Sequence, residues 1–293
     1  MTSKLKDPDH KADTHPVTGV SLSSWDDMIA TVIGEPLAPL RARYAYWLEL
    51  DAAEVEQDRE EAAEDVRALQ LLIRMERDRP PSWHRALELA ASGAAAVCLD
   101  PRAEPGGEWF DAVAAYCAGH IRKVTRRGRG AQWDATADLP GLTLTSDDTE
   151  VRALVPGLVS QLDKRVSKLQ VGGTDVERDD PTPEPTEPER VLQLLLPPSI
   201  TMTMGKAMAQ TGHAGMISAA LMADEEGDAL TRWAMAGCPA YVGAPDPARF
   251  AQYSALLADP ASAWQEHRLL AVRDAGFTEV DPGTITVIAI APV

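Results

Sequence analysis

The sequence predicts an α/β protein built as two tandem copies of one small sheet-and-helix unit, preceded by an acidic helical extension. Three observations lead there. After residue 190, short apolar runs alternate with helical stretches, the pattern of an α/β layer whose sheet has an apolar face on each side. The tetrapeptide LQLL occurs twice, in VRALQLLIRM (Val66–Met75) and ERVLQLLLPP (Glu189–Pro198), about 123 residues apart and each time ahead of an alanine-rich stretch. Between them lies GGTDVERDDPTPEPTEPER, ending at Arg190, with four prolines, many acids and no apolar periodicity. Such a segment cannot bury enough surface to offset its ordering entropy and reads as a solvated linker.

Taken in order, residues 1–20 are polar and lack the apolar core of a secretory signal, so they are expected to be disordered. Residues 21–65 are expected to form an acidic helical cover; 51–65, DAAEVEQDREEAAED, carries eight acids and one arginine. The first unit, 66–173, opens on VRALQLLIRM and continues with the helical SWHRALELAASGAAAVCL (Ser82–Leu99). It is expected to close with Val151-Arg152 and a strand-like SKLQVGG (Ser167–Gly173), matching Val272-Arg273 and TVIAIAP (Thr286–Pro292). After the linker, 174–188, the second unit spans 189–293. Its expected elements are a strand at Val191–Leu196, helices at Thr203–Met222, Asp228–Ala236 and Pro247–Ala258, and strands at Ala240–Val242, Leu269–Val272 and Thr284–Ile290.

Three cysteines, Cys98, Cys117 and Cys238, lie far apart without ligand spacing, so neither a disulfide framework nor a metal site is expected. No stretch of eighteen apolar residues suggests a membrane span, and a cytoplasmic protein is expected. A net charge of −17 argues against a nucleic-acid partner on average, but the charge is segregated. HIRKVTRRGRGAQW, His120–Trp133, carries five basic side chains and no acid.

The polar cluster of the second unit sits in MTMGKAMAQTGHAG, Met202–Gly215. Lys206, Gln210 and His213 follow the i, i+4, i+7 rhythm of one helical face, where a core helix would be apolar. With 21 arginines against 7 lysines, a lysine here is a specific choice. At the LQLL offset the first unit has Trp83, Leu87 and Ala90, so one copy alone keeps the cluster. Gly205, Gly212 and Gly215 each weaken a helix by about 1 kcal/mol relative to alanine, which fits close packing against the helix or a close ligand. No serine or cysteine nucleophile is supported: there is no G-x-S-x-G elbow, and Cys238 lies between Gly237 and Pro239.

GKAMAQTGHAG, followed some sixty residues later by DAGFTEVDPGTITVIAIAP (Asp274–Pro292), resembles the archaeal/eukaryotic-type peptidyl-tRNA hydrolase family over about the last 100 residues. The resemblance implies a small mixed β-sheet with helices on both faces, a homodimeric assembly, no metal or organic cofactor, and cleavage of the ester joining a peptide to the 3′ ribose of tRNA. It also implies a site lined by Lys206, Gln210, His213, Asp274 and Thr278. The chemistry is consistent: ester hydrolysis needs a placed water, a group to take its proton, and charge or donors at the developing oxyanion. Asp274 suits the first two tasks, Lys206 the last, and Gln210 and Thr278 supply neutral hydrogen bonds. His213 reads either as a proton shuttle or as a helix histidine bonded to a neighbour. The sequence departs from the family in LLLPPSITMTMGK, which lacks the usual basic residue and aspartate, and at Phe277 and Glu279, where the family has Arg and Gln.

The first unit then reads as a degenerate copy standing in for the second subunit, which gives an internal pseudo-dimer and a monomeric chain. Peptidyl-tRNA hydrolysis is the expected function; a non-catalytic RNA- or protein-binding module on the same fold is the alternative. Arg122, Lys123, Arg126, Arg127 and Arg129, beside the loop-forming Gly128 and Gly130, are expected either to grip tRNA phosphates or to pair with the acids of 51–65.

Overall fold

A computed structural model describes residues 33–47 (side chains to Tyr44), 61–223, 228–244, 246–274 and 279–293. All belong to one compact unit. The first piece begins with a 3-10 turn, Glu35–Leu37, and helix α1, Ala38–Trp47. The expected acidic helix therefore lies mostly outside the described residues, as do 1–32, and the helix that is described, APLRARYAYW, is not acidic.

Residues 61–173 build β1 (Arg67–Arg74), α2 (Trp83–Leu99), α3 (Phe110–Cys117), β2 (Arg122–Gly128), α4 (Ala131–Asp134), β3 (Gly141–Ser146), β4 (Thr149–Leu154), β5 (Gly157–Leu158) and α5 (Lys164–Ser167). The sheet runs β2-β1-β4-β3, with β5 also on β1. β1 is parallel to β2 and antiparallel to β4, and β3 is antiparallel to β4. Residues 189–293 build β6 (Leu192–Leu195), α6 (Met204–Met222), α7 (Ala229–Met235), β7 (Ala240–Val242), α8 (Pro247–Leu256), α9 (Pro260–His267), β8 (Leu269–Arg273) and β9 (Ile285–Ile290). This sheet runs β7-β6-β9-β8. β6 is parallel to β7 and antiparallel to β9, and β8 is antiparallel to β9. The two mixed sheets thus share one strand order and one set of polarities.

Each sheet carries its long helix on one face, α2 on β1, β3 and β4, and α6 on β6, β8 and β9. The other face of the first sheet is closed by Leu72, Trp133, Leu154, Val166 and Leu169, and that of the second by α8, α9 and the cluster around Leu257, Leu269 and Ile288. α2 and α6 pack on each other, α2 also reaches edge strand β7, and α6 reaches edge strand β2. Small residues allow the close approach. A Cβ on Gly215 would stand 2.3 Å from the Ala91 carbonyl oxygen, and one on Gly212 would stand 2.9 Å from Lys123 Cδ and 3.5 Å from Ala94 Cβ.

Two local expectations are corrected. SKLQVGG, 167–173, is not a strand; it adds a single bridge, Arg127 to Gln170, and the antiparallel strand of the first sheet is β4. The HIRKVTRRG stretch is not a glycine loop but strand β2, because its alternate residues Lys123 and Thr125 lie against α6: Thr125 Oγ1 donates to the Gly205 carbonyl at 2.9 Å. Residues 174–186 form no regular structure but run along α2. Asp179 Oδ1 bonds His84 Nδ1 at 2.9 Å, Arg178 lies over the Trp83 ring at 4.4 Å, and Thr182 donates to Glu88 Oε1 at 3.3 Å.

Candidate active site

The N-terminus of α6 and the end of β8 make the site. Thr203 caps α6, its hydroxyl accepting the Lys206 N–H at 3.2 Å. Glu279 holds the same cap, accepting the Thr203 N–H at 3.0 Å and its hydroxyl at 2.9 Å, so this carboxylate sits where the positive end of the helix favours it. Glu279 thus ties the described residues that lead into β9 to the start of α6.

Alternation along β8 turns Leu269 and Ala271 to the α8–α9 cluster, and therefore Leu270, Val272 and the next even residue, Asp274, to α6. The Asp274 backbone is fixed by its N–H to Thr284 O at 3.0 Å and by Gly283 N–H to its carbonyl at 2.8 Å. Its carboxylate meets two α6 side chains one turn apart: Lys206 Nζ stands 2.5 Å from Oδ2 and Gln210 Nε2 donates to the same oxygen at 2.8 Å. The side chains of Lys206 and Asp274 are only 11% and 6% exposed, so the pair is held away from bulk water, where its attraction is screened least.

The sequence reading missed Thr286. Its buried hydroxyl lies 2.5 Å from Gln210 Oε1 and 3.2 Å from the Val272 carbonyl; donated to Gln210, it turns the amide NH2 toward Asp274. A bulge places it there. Val272 pairs with Val287 but Arg273 pairs with Ile285, so Thr286 is the extra residue and turns to the α6 face, although Ile285 and Ile288 on either side join the α8–α9 cluster.

His213, two turns from Lys206, faces a different neighbour. Its Nδ1 stands 3.4 Å from Lys123 Nζ of the first sheet, and the Lys123 ammonium also reaches Tyr116 OH and the Ile121 carbonyl at 3.4 Å each. Desolvation, then the charges of Lys123 and Lys206, hold the His213 pKa well below the ordinary imidazole value, so its neutral form prevails. Desolvation likewise pulls Lys123 down to about 7. The structure therefore brings Lys206, Gln210 and Asp274 together and places His213 beside them against Lys123. Thr278 and Phe277 lie outside the described residues.

The basic segment divides. Arg122 forms an ion pair with Glu61, which also accepts the His120 N–H at 3.0 Å. Lys123 turns inward. Arg126 bonds Gln70 Oε1 at 2.9 Å and the Leu169 carbonyl at 3.0 Å. Arg127 holds the Gly172 carbonyl at 3.1 Å and Gln170, and Arg129 is exposed. Among the described residues there is no group of three or more His, Cys, Asp or Glu able to hold a metal ion, and no helix long and apolar enough to cross a membrane.

Residues 191–293, the segment that carries α6, Asp274 and Thr286, match the family model of peptidyl-tRNA hydrolase PTH2. Comparison with curated proteins and with solved structures finds no match.

Proposed function

We propose that the chain hydrolyses the ester between peptide and tRNA in peptidyl-tRNA, releasing free tRNA, with Lys206, Gln210 and Asp274 as the reacting constellation. The observation that carries this reading is the carboxylate of Asp274 gripped on one oxygen by Lys206 and Gln210, inside the segment that matches the hydrolase family. In the proposed reaction Asp274 takes a proton from a water as its oxygen adds to the ester carbonyl. The tetrahedral oxyanion is stabilised by the Lys206 ammonium. Collapse breaks the bond to the ribose 3′ oxygen, which recovers the proton from Asp274, and the peptide leaves as its carboxylic acid, which then gives its own proton to bulk water. Gln210, oriented by Thr286, keeps the Asp274 carboxylate in one rotamer. Thr278 is assigned to ester binding through the family resemblance.

In this reading the first sheet and α2 replace a second subunit, and the chain acts as a monomer. Support comes from the shared strand order and from the reciprocal packing of each long helix on the other half's edge strand. It comes also from the helix contact, where Gly212 meets Ala94 and Gly215 meets Ala91, an arrangement that exchanging the two helices about a twofold preserves. The test is release of free tRNA by the purified chain from a purified peptidyl-tRNA. Release at a rate indistinguishable from buffer would sink the reading and leave the binding module.

A further inference from the structure

We propose that the concave surface between the ends of β1 and β2 and the segment after α5 binds the phosphate backbone of the RNA substrate; this rests on the hydrolase reading and locates where that substrate is held. The hollow has a volume of about 540 Å³ and is lined by Arg77, Arg127, Arg129 and Lys168 with Gln132 and Gln170, and by no carboxylate. In a chain of net charge −17, such a lining needs a reason. Several arginines elsewhere are matched with acids, as in Arg74–Glu150, Arg85–Glu88 and Arg165–Asp138. Arg77, Arg129 and Lys168 are exposed, and none of them forms an ion pair among the described residues. Glu76, next to Arg77 in the chain, accepts from Arg74 Nε and the Gly130 N–H, each at 3.0 Å, and feels the charge of Arg129 without forming an ion pair with it. Arg127 is held in place by the Gly172 carbonyl and Gln170, so its guanidinium is oriented in advance.

Position joins this hollow to the reacting groups. Thr125, two residues before Arg127 on β2 and so about 7 Å away, bonds the carbonyl of Gly205, the residue before Lys206. Gly173 packs on the Arg127 guanidinium, and the next residue, Thr174, packs on Gly205. A phosphate chain lying in the hollow would therefore pass beside the N-terminus of α6. Spaced cations with amide donors and no aromatic platform suit backbone phosphates rather than bases.

The test uses the full chain with Arg77→Gln, Arg129→Gln and Lys168→Gln combined, all three outside the reacting constellation. Binding of uncharged tRNA is measured against salt, and hydrolysis is measured on peptidyl-tRNA and on a short ester substrate lacking the acceptor stem. We expect the slope of log affinity against log salt to fall by about 2 and affinity at low salt to drop about tenfold or more. The KM for peptidyl-tRNA should rise while kcat and cleavage of the short ester stay at wild-type values. An unchanged salt slope, or wild-type protein that does not bind tRNA at low salt, overturns the proposal. Salt-dependent binding that is lost in the triple variant, from a wild type that releases no tRNA, supports the hollow while sinking the hydrolase reading.

Discussion

The two long helices begin alike and end in different chemistry. Ser82 caps α2 by accepting the Arg85 N–H at 3.1 Å, as Thr203 caps α6 by accepting that of Lys206. Aligned on these caps, Arg85, Leu89 and Ser92 stand where α6 has Lys206, Gln210 and His213, rather than the Trp83, Leu87 and Ala90 suggested by the LQLL offset. Arg85 even pairs with an aspartate just beyond the end of its own sheet's β3, Asp147, at 3.1 Å. The Asp147 side chain, however, is 74% exposed, and Arg85 also bonds Glu88 at 2.9 Å. An exposed pair of this kind contributes about 0–1 kcal/mol. The Lys206–Asp274 pair is enclosed, has Gln210 as a third member and Thr286 behind it. One backbone plan can thus carry an ion pair exposed as surface charge or enclosed with a third partner, the form on which the proposed reaction draws.

The sharpest test of that contrast is to remove each aspartate in turn. Asp274→Asn should lower turnover of peptidyl-tRNA by about 100- to 1000-fold, the usual effect of removing a group that acts in the transition state. Asp147→Asn should leave kcat within about twofold. Thr286→Val should fall between, at about tenfold, because Gln210 keeps its place but loses the bond that orients its amide. Single-turnover rates on a purified substrate check all three, and a comparable loss in Asp147→Asn would erase the distinction between the halves.

The second half was largely legible in the sequence because its helices and strands carry plain apolar periods, and expected bounds agree with α6, α7, β7 and β9 to within a residue or two. The missed α9 had a signal in Asp259-Pro260: the Asp259 side chain accepts the Ser262 N–H at 3.1 Å. Strand β2 was not legible, since Arg122–Gly128 contains one apolar residue, Val124, and buries lysine and threonine against α6 instead. Lys206, Gln210 and Asp274 could be named from their motifs. Thr286 could not, because the bulge that turns it inward exists only in the pairing of β8 with β9.

The helix contact offers a second comparison, between two glycines one turn apart. At Gly215 an added Cβ meets the Ala91 carbonyl, which is backbone and can yield only if α2 shifts. At Gly212 the obstacle is the Lys123 side chain, whose methylenes can swing aside. Gly215→Ala should therefore cost about 2–3 kcal/mol, overpacking outweighing the gain in helix propensity of roughly 1 kcal/mol. Gly212→Ala should fall within about 1 kcal/mol of wild type. Thermal unfolding of the two variants side by side measures this, and equal losses would mean that the helices do not meet as closely as Gly215 and Ala91 imply.

The smallest expected effect concerns Lys123, where the first half meets His213 on the polar face of α6. Lys123 is pulled down to about 7 by desolvation, against 10.5 in the unfolded chain. Between those values the unfolded state binds more protons, so this lysine costs stability at neutral pH and the cost fades as pH rises. His213, held well below 6.5, adds the same sign in a lower window: stability falls as pH drops through 6.5, because the unfolded imidazole takes a proton that the folded one refuses. Lys123→Met keeps the stem that packs on Gly212 and removes the ammonium. At pH 7 the variant should be more stable than wild type by no more than about 1 kcal/mol, since the site is not wholly closed to water. That advantage should shrink between pH 7 and 8.5. Below pH 6.5 the variant should lose stability less steeply, because Lys123 is the first of the two charges that depress His213. Denaturant titrations of both proteins at pH 5.5, 7 and 8.5 resolve these slopes. A difference that stays constant across the three would show that Lys123 keeps its proton when folded.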